Sequence, residues 1–248
     1  MNHISIDEIV DYVSKNIGKF HENRLVSLEN LNFKSVLKRK NPYLYKVKNM
    51  GVAHDVVQEI LDAHISSSEE TKFGDWLEEM AIYLNGKVYG GVKSSSPGID
   101  LEFQHDSVRY LVSIKSGPNW GNSSQIKKMI SDFAQAKKTL HTTNSRMTVI
   151  AINGCCYGRG SDNLKTGDYY KYCGQMFWEF ITGVPELYLD IIEPLGTKAK
   201  EKNEFYHQRY NAILNKLSHQ FMHMYCDENG VVNWKRIVEM NSSKDKTK

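Results

Sequence analysis

Asp100 and Lys115 stand on two neighbouring strand-like runs, and together they could do hydrolytic chemistry. Ile99, Leu101 and Phe103 alternate with Asp100 and Glu102. Val108, Tyr110, Val112 and Ile114 alternate with Arg109, Leu111, Ser113 and Lys115. A period of two marks strands with one apolar face. The polar run Gln104-His105-Asp106-Ser107 between them is turn-like. A two-residue turn at Asp106-Ser107 sets Asp100 opposite Ser113. Lys115 then becomes a diagonal neighbour of Asp100 on the same face, roughly 5–8 Å away by Cβ. The same register gathers the apolar residues of both strands on the opposite face. A carboxylate in this position can hold Mg²⁺, which takes few protein oxygens and keeps several waters. Such a metal polarises a phosphoryl oxygen and lowers the pKa of bound water. A lysine alongside can orient or deprotonate the attacking water and offset developing negative charge. Those are the requirements of phosphodiester hydrolysis. The plainer alternative is a half-exposed hairpin with a solvated Asp and Lys.

The segment after the lysine favours the chemical reading. Lys115-Ser116-Gly117-Pro118-Asn119-Trp120-Gly121-Asn122-Ser123-Ser124-Gln125 is dense in Gly, Asn and Ser around one large aromatic. A helix-period stripe follows in Ile126, Met129, Ile130, Phe133 and Leu140, with Ser123 or Ser124 as N-cap. A helix N-terminus with polar donors, beside Lys127 and Lys128, suits phosphate oxygens. Asn119, Trp120, Asn122, Ser123, Ser124 and Lys127 are therefore candidate DNA contacts; a long structural turn would need the same residue types. Met147 to Ile152 reads as a buried strand. Glycines then flank Tyr157 and Arg159 in Asn153-Gly154-Cys155-Cys156-Tyr157-Gly158-Arg159-Gly160. Arg159 could read guanine or hold phosphate. A long polar loop is expected to continue through Ser161, Asp162, Asn163, Lys165 and Asp168 to Tyr172.

Gly98-Ile99-Asp100 followed by Ser113-Ile114-Lys115 resembles the active-site motif of PD-(D/E)xK nucleases. The run from Ser113 to Gln125, with Gly174-Gln175-Met176-Phe177-Trp178-Glu179-Phe180 downstream, resembles a subgroup of type II restriction endonucleases, over residues 70 to 240. The resemblance implies an α/β fold with a mixed central β-sheet flanked by helices. It implies a Mg²⁺-dependent homodimer that cuts both strands of a short palindromic site in double-stranded DNA, leaving 5′-phosphate and 3′-hydroxyl ends. It also implies a cognate DNA methyltransferase in the same system, with no contact required. By position, Asp100 matches the metal-binding aspartate, Lys115 the catalytic lysine, and the backbone carbonyl of Ile114 a further metal ligand. Ser113 departs from the pattern, because Asp or Glu is usual there and serine is a poor Mg²⁺ ligand. Such nucleases often recruit an acid from the helix before the core. The expected helix from Thr71 to Leu84 has Phe73, Leu77, Met80 and Leu84 as its stripe, with Glu79 and Glu78 at its two edges. Glu79 is the preferred substitute acid and metal ligand; Glu102, on the strand face of Asp100, is the alternative.

Composition is that of an ordinary folded protein: 248 residues, 40% hydrophobic, 25% charged, with a net charge of +3. So small an excess means that DNA binding would depend on local patches. No apolar run approaches the roughly 20 residues of a membrane span. The first residues lack a signal peptide pattern, so a cytoplasmic location is expected. Of the four cysteines, Cys155, Cys156, Cys173 and Cys226, the adjacent Cys155 and Cys156 lack zinc-site spacing; Cys155 continues a strand, so burial as a small apolar residue is expected. His219 and His223 are four apart but lack the intervening Glu of a zinc helix.

Four segments are expected. Residues 1–66 form a helical N-terminal region for dimerisation or DNA contact, with helices around Ile6–Ile17 and Val52–Ile65. Its basic run Leu37-Lys38-Arg39-Lys40-Asn41-Pro42 is a solvated loop or a DNA backbone contact. Residues 67–195 form the nuclease core, 196–241 a helical C-terminal region packed on it, and 242–248 a disordered tail. Two rivals remain at this level: a catalytically silent, sequence-specific DNA-binding protein, and a structure-specific repair nuclease.

Overall fold

The computed structural model describes residues 4–143, 146–160 and 165–244, apart from the side chains of residues 143, 165–166 and 197–202. Ser161, Asp162 and Asn163 of the expected loop, and residues 245–248 of the expected tail, lie outside them. The chain divides into two compact units: Met1–Gly18 with Phe73–Lys198, and Lys19–Lys72 with Ala199–Lys248. Three helices, α1 (Ile6–Glu29), α4 (Ala53–Tyr89) and α8 (Ile192–Tyr225), pass from one unit into the other. Contacts thus group residues 19–72 with a segment far away in sequence, and assign residues 1–18 to the unit that holds the sheet.

The first unit is built on a six-stranded sheet. Its strands are β1 (Val92–Lys93), β2 (Leu101–His105), β3 (Val108–Lys115), β4 (Thr148–Cys155), β5 (Lys165–Thr166) and β6 (Tyr169–Cys173), in the order β1-β2-β3-β4-β6-β5. β1, β2 and β3 are antiparallel, β3, β4 and β6 parallel, and β5 antiparallel to β6. A parallel β3–β4 pair needs a crossover, and α5 (Ser123–Thr143) supplies it. This is the expected mixed sheet flanked by helices. The expected polar loop, however, contains the β5–β6 hairpin, which extends the sheet.

The hairpin that carries Asp100 closes as the alternation predicts. His105 pairs with Val108 and Leu101 with Val112. Asp106 and Ser107 have φ of +46° and +63°, the left-handed pair of a type I′ turn, whose twist matches that of the strands. The Asp100 N–H, just before β2, donates to Val112 O at 2.9 Å, so Asp100 bonds to the same residue that pairs with Leu101.

Burial departs from the simple two-faced picture, because Leu111, Ser113 and Glu102 on the polar face are all buried. Helices cover both sides. On one, Phe103 and Tyr110 stack at 5.0 Å and meet Tyr89 of α4 and Phe180 of α6 (Gln175–Thr182). On the other, Met129, Phe133 and Ala136 of α5 pack with Ile99, Leu111 and Ala151. Cys155, Cys156 and Cys173 are buried free thiols, Cys155 as expected.

The two helices expected over Val52–Ile65 and Thr71–Leu84 are a single helix, α4, of 37 residues. Ser66-Ser67-Ser68-Glu69-Glu70 contains neither Gly nor Pro to stop it, and Thr71 Oγ1 bonds back to Ser67 O at 3.2 Å. In the second unit α1 leads into α2 (Phe33–Lys38), then α3 (Pro42–Val47). Val36 and Leu37 of α2, Val57, Ile60 and Leu61 of α4, Phe221 of α8 and Ile237 of α9 (Trp234–Ser242) share an all-helical core. A short α7 (Leu187–Asp190) precedes α8. No helix among the described residues is long and apolar enough to cross a membrane.

Candidate active site

A tight turn delivers Asp100 to the sheet. Ile99 N donates to Ser96 O at 3.1 Å, with Pro97 and Gly98 between them and Gly98 at φ +75°. Pro followed by a left-handed Gly is the pattern of a type II turn. A Cβ on Gly98 would lie 2.3 Å from Asp132 Oδ2 of α5, so the turn can pass only without a side chain. Asp100 Oδ2 then accepts from Ile114 N at 2.6 Å and lies 3.4 Å from both Ser113 Oγ and Lys115 Nζ. Lys115 Nζ donates to Ile114 O at 2.7 Å and sits 5.3 Å from the Trp120 ring centroid. Carboxylate, ammonium and backbone carbonyl therefore meet at one point, with the Asp100 and Lys115 side chains 21% and 26% exposed.

Ser113 is 1% exposed beneath this cluster. Its hydroxyl can donate to Asp100, but it brings no negative charge. The acid that approaches is Glu78. Burial, and next the charge of Asp100, hold the Glu78 carboxyl above its ordinary range; Lys93 and Lys115 pull the other way. Lys93 Nζ lies 3.4 Å from Glu78 Oε1. Glu79, the residue expected from the sequence, is exposed on the other flank of α4. There its charge, after burial, helps to push the Tyr12 hydroxyl up to about 12, and Tyr12 stacks on Tyr83 at 4.4 Å.

The correction has a helical cause. One residue is a rotation of about 100°, so adjacent glutamates leave on opposite sides of the buried stripe of Trp76, Leu77, Met80, Ala81 and Leu84. The flank of Glu78 also carries Gly74 and Asn85. A Cβ on Gly74 would lie 3.3 Å from Ser116 Cβ, and Asn85 Nδ2 donates to Ile181 O at 2.9 Å. That flank faces the strand ends. Gly74, one turn before Glu78, was the available signal. Glu102 has partners of its own: Arg109 Nη2 donates to Oε2 at 2.8 Å, and Ser94 Oγ to Oε1.

Asp100, Glu78 and the Ile114 carbonyl offer only oxygen donors, the kind that hard divalent cations prefer. Two carboxylates in each other's field are also what a cation would relieve. Among the described residues no three His, Cys, Asp or Glu side chains form a metal-binding cluster. His219 and His223 meet edge to face at 5.3 Å and belong to no such cluster.

The expected DNA contacts surround this point unevenly. Asn119, Asn122, Ser123, Ser124, Lys127 and Arg159 are exposed. Trp120 is half-buried against the α5 core and over Lys115. Asn122, and not Ser123 or Ser124, caps α5: its Oδ1 accepts from Ser124 N and Gln125 N at 3.0 and 3.1 Å. Two N–H groups that looked available for phosphate are thereby engaged. The loop of Tyr157 and Arg159 is tied to the lysine loop by Cys156 N to Lys115 O at 2.9 Å and Tyr157 N to Ser116 O at 3.1 Å.

Two polar residues were missed. Ser113 pairs with Asn153, and Asn153 with Lys171, so these three form one row across β3, β4 and β6, and Ser113 Oγ lies 3.4 Å from Asp100 Oδ2. Asn153 is 2% exposed, and Lys171 Nζ donates to Pro118 O at 2.7 Å, holding the loop that carries Trp120. Lys171 was hidden because β6 was expected to be loop.

No curated protein sequence matches the chain. The family model of the type II restriction endonuclease EcoO109I matches residues 7–203, which include every residue of the cluster around Asp100. Such families generally use divalent metal ions. The chain belongs to the EcoO109I family of type II restriction endonucleases, site-specific deoxyribonucleases that bind DNA.

Proposed function

We propose that the protein hydrolyses phosphodiester bonds in both strands of a short palindromic double-stranded DNA site, with Mg²⁺ as its metal. The observation that carries this reading is the meeting of Asp100, Lys115 and the Ile114 carbonyl, with Glu78 in the field of Asp100. Asp100, Glu78 and the Ile114 carbonyl would hold the ion. When bound, the ion polarises the scissile phosphoryl oxygen and acidifies water. Lys115 orients the attacking water and offsets charge on the phosphate. Ile114 N and Ser113 Oγ fix the Asp100 carboxylate. Trp120 confines the lysine from one side. Asn119, Ser123, Ser124, Lys127 and Arg159 are free to meet the DNA, Lys127 as a phosphate contact and Arg159 in a groove.

One chain carries one such cluster among its described residues, and the strands of a duplex run in opposite directions. Two copies related by a two-fold axis place one cluster on each strand of a palindrome, so a homodimer is the simplest assembly. A methyltransferase acting on the same site would protect the host DNA, without touching this protein.

The test is incubation of the purified protein with phage DNA of known sequence, in Mg²⁺ or in EDTA. Discrete bands that require Mg²⁺, with ends mapping to a palindrome, are expected. Tight DNA binding with no cutting in Mg²⁺ or Mn²⁺ would overturn the catalytic reading and make Ser113 the reason.

A further inference from the structure

The second unit contains a basic cavity that the cleavage chemistry does not use. It is open, about 480 Å³, and lined among others by Arg39, Lys40, His64, Ser67, Thr71 and Lys72. His64, Ser67 and Thr71 share one face of α4, at spacings of three and four, and Lys72 lines the cavity from the edge of that face. Arg39 and Lys40 close it from the end of α2. Their turn is fixed, since Asn241 Nδ2 donates to Lys38 O at 2.6 Å and Lys40 O at 3.1 Å. Among the described residues no carboxylate lines the cavity. A neighbouring opening of about 460 Å³ shares Arg39, His64 and Lys72, adds Asn32 and Ser35, and also lacks an acid.

The charges here are uncompensated. None of the three cations belongs to an ion pair among the described residues. Lys72 Nζ bonds to the neutral Ser68 Oγ at 2.5 Å and Arg39 Nε to Ser35 O at 3.3 Å. Burial first, and then Arg39, Lys40 and Lys72, depress the His64 pKa, so three positive charges act on one ring. Like charges are brought together around hydroxyl donors without an internal counterion.

We propose that this cavity binds a phosphate group, and that the phosphate belongs to the backbone of duplex DNA. Arginine, lysine and hydroxyl side chains are the usual partners of DNA phosphates. Among the described residues no Phe, Tyr or Trp lines the cavity to stack a free nucleotide base. The proposal rests on the reading of the protein as a DNA-cleaving enzyme and adds a second, sequence-independent contact to it.

The experiment uses the full-length protein in EDTA, where no cleavage is expected, and a labelled duplex. Dissociation constants are measured across a salt series. Each phosphate contact contributes about 0.9 to the slope of log K against log salt. R39Q/K40Q/K72Q should lower that slope by about 1 or more, and R39K/K40R/K72R should restore it. Should the first variant fail to fold by circular dichroism, Lys72→Gln alone is measured against Lys72→Arg. An unchanged slope would overturn the proposal. So would an equal loss in K19Q/K216Q/K235Q, which removes three exposed charges elsewhere. Inorganic phosphate, compared with chloride at equal ionic strength, forms the second arm. If it raises the melting temperature of wild type and not of R39Q/K40Q/K72Q, while the DNA slope stays unchanged, the cavity serves a free phosphate and the DNA assignment falls. Cutting in Mg²⁺ with an unaltered slope would sink this proposal alone. A reduced slope without cutting would sink the catalytic reading alone.

Discussion

The cluster around Asp100 and the basic cavity of α2 and α4 handle charge in opposite ways. At Asp100, opposite charges are fixed at the ends of buried strands, where Asp100 Oδ2, Ile114 N and Lys115 Nζ have partners within hydrogen-bond reach. In the cavity, like charges sit on long side chains at the surface, and no carboxylate among the described residues lines it. The difference follows from the task. A reacting phosphate must be held to a fraction of an ångström, because small misplacements cost large factors in rate. A phosphate that is merely anchored needs positive charge and a concave surface. Changes at the first site should therefore alter cleavage with binding retained, and changes at the second should alter binding and its salt dependence.

Replacing Lys115 with Ala is the largest test of that contrast. Cleavage should fall by at least about 10³-fold while DNA binding persists; a variant that still cuts would remove Lys115 from the chemistry. Glu78→Gln should lower cleavage by about 100-fold and Glu79→Gln by less than about 2-fold, with Ca²⁺ affinity falling for the first alone. Equal losses for the two would return the choice of acid to open ground. Gly74→Leu drives a side chain into Ser116 and should move Glu78 away from Asp100. A loss of about 10-fold in rate, with an unchanged helical spectrum, is expected. Trp120→Ala should cost least, about 2- to 5-fold, the scale of one exposed cation–π contact.

Glu78→Gln also has a stability consequence. The folded state raises the Glu78 pKa above its ordinary 4.5, so the folded protein binds more protons than the unfolded chain over that window. Its contribution to stability is therefore lost as pH rises from the ordinary glutamate range through the raised value. In metal-free buffer at neutral pH, Glu78→Gln should melt at or above the wild-type temperature, with the difference vanishing in acid. A lower melting temperature at neutral pH would mean that the Lys93 contact outweighs the repulsion from Asp100.

Much of the site was legible because its logic is local. The alternation from Ile99 to Lys115, with a two-residue turn, settled which residues stand opposite each other. Pro97-Gly98 announced the turn that delivers Asp100. The stripe from Ile126 to Leu140 announced α5, and the motif carried the family. The cap of α5 lies one or two residues before the expected Ser123 or Ser124, since Asn122, Ser123 and Ser124 are all competent caps and only the local hydrogen bonds choose among them. The break expected within α4 was absent, because a run of serines weakens a helix only slightly when both of its halves are packed.

The amino-acid sequence by itself determined the hairpin from Leu101 to Lys115 and its register, because a pleated strand with a period of two and a tight turn leaves one consistent pairing. The tertiary structure alone decided the rest. It set Glu78, and not Glu79, in the field of Asp100, since a rotation of about 100° separates them and the packed flank was not visible in the pattern. It brought Asn153 and Lys171 into line with Ser113 through parallel pairings that depend on a crossover. It also set Arg39 and Lys40 against a face of α4 more than twenty residues away in sequence. Local periodicity can fix the geometry of neighbours, but a site assembled from distant segments exists only once their packing does.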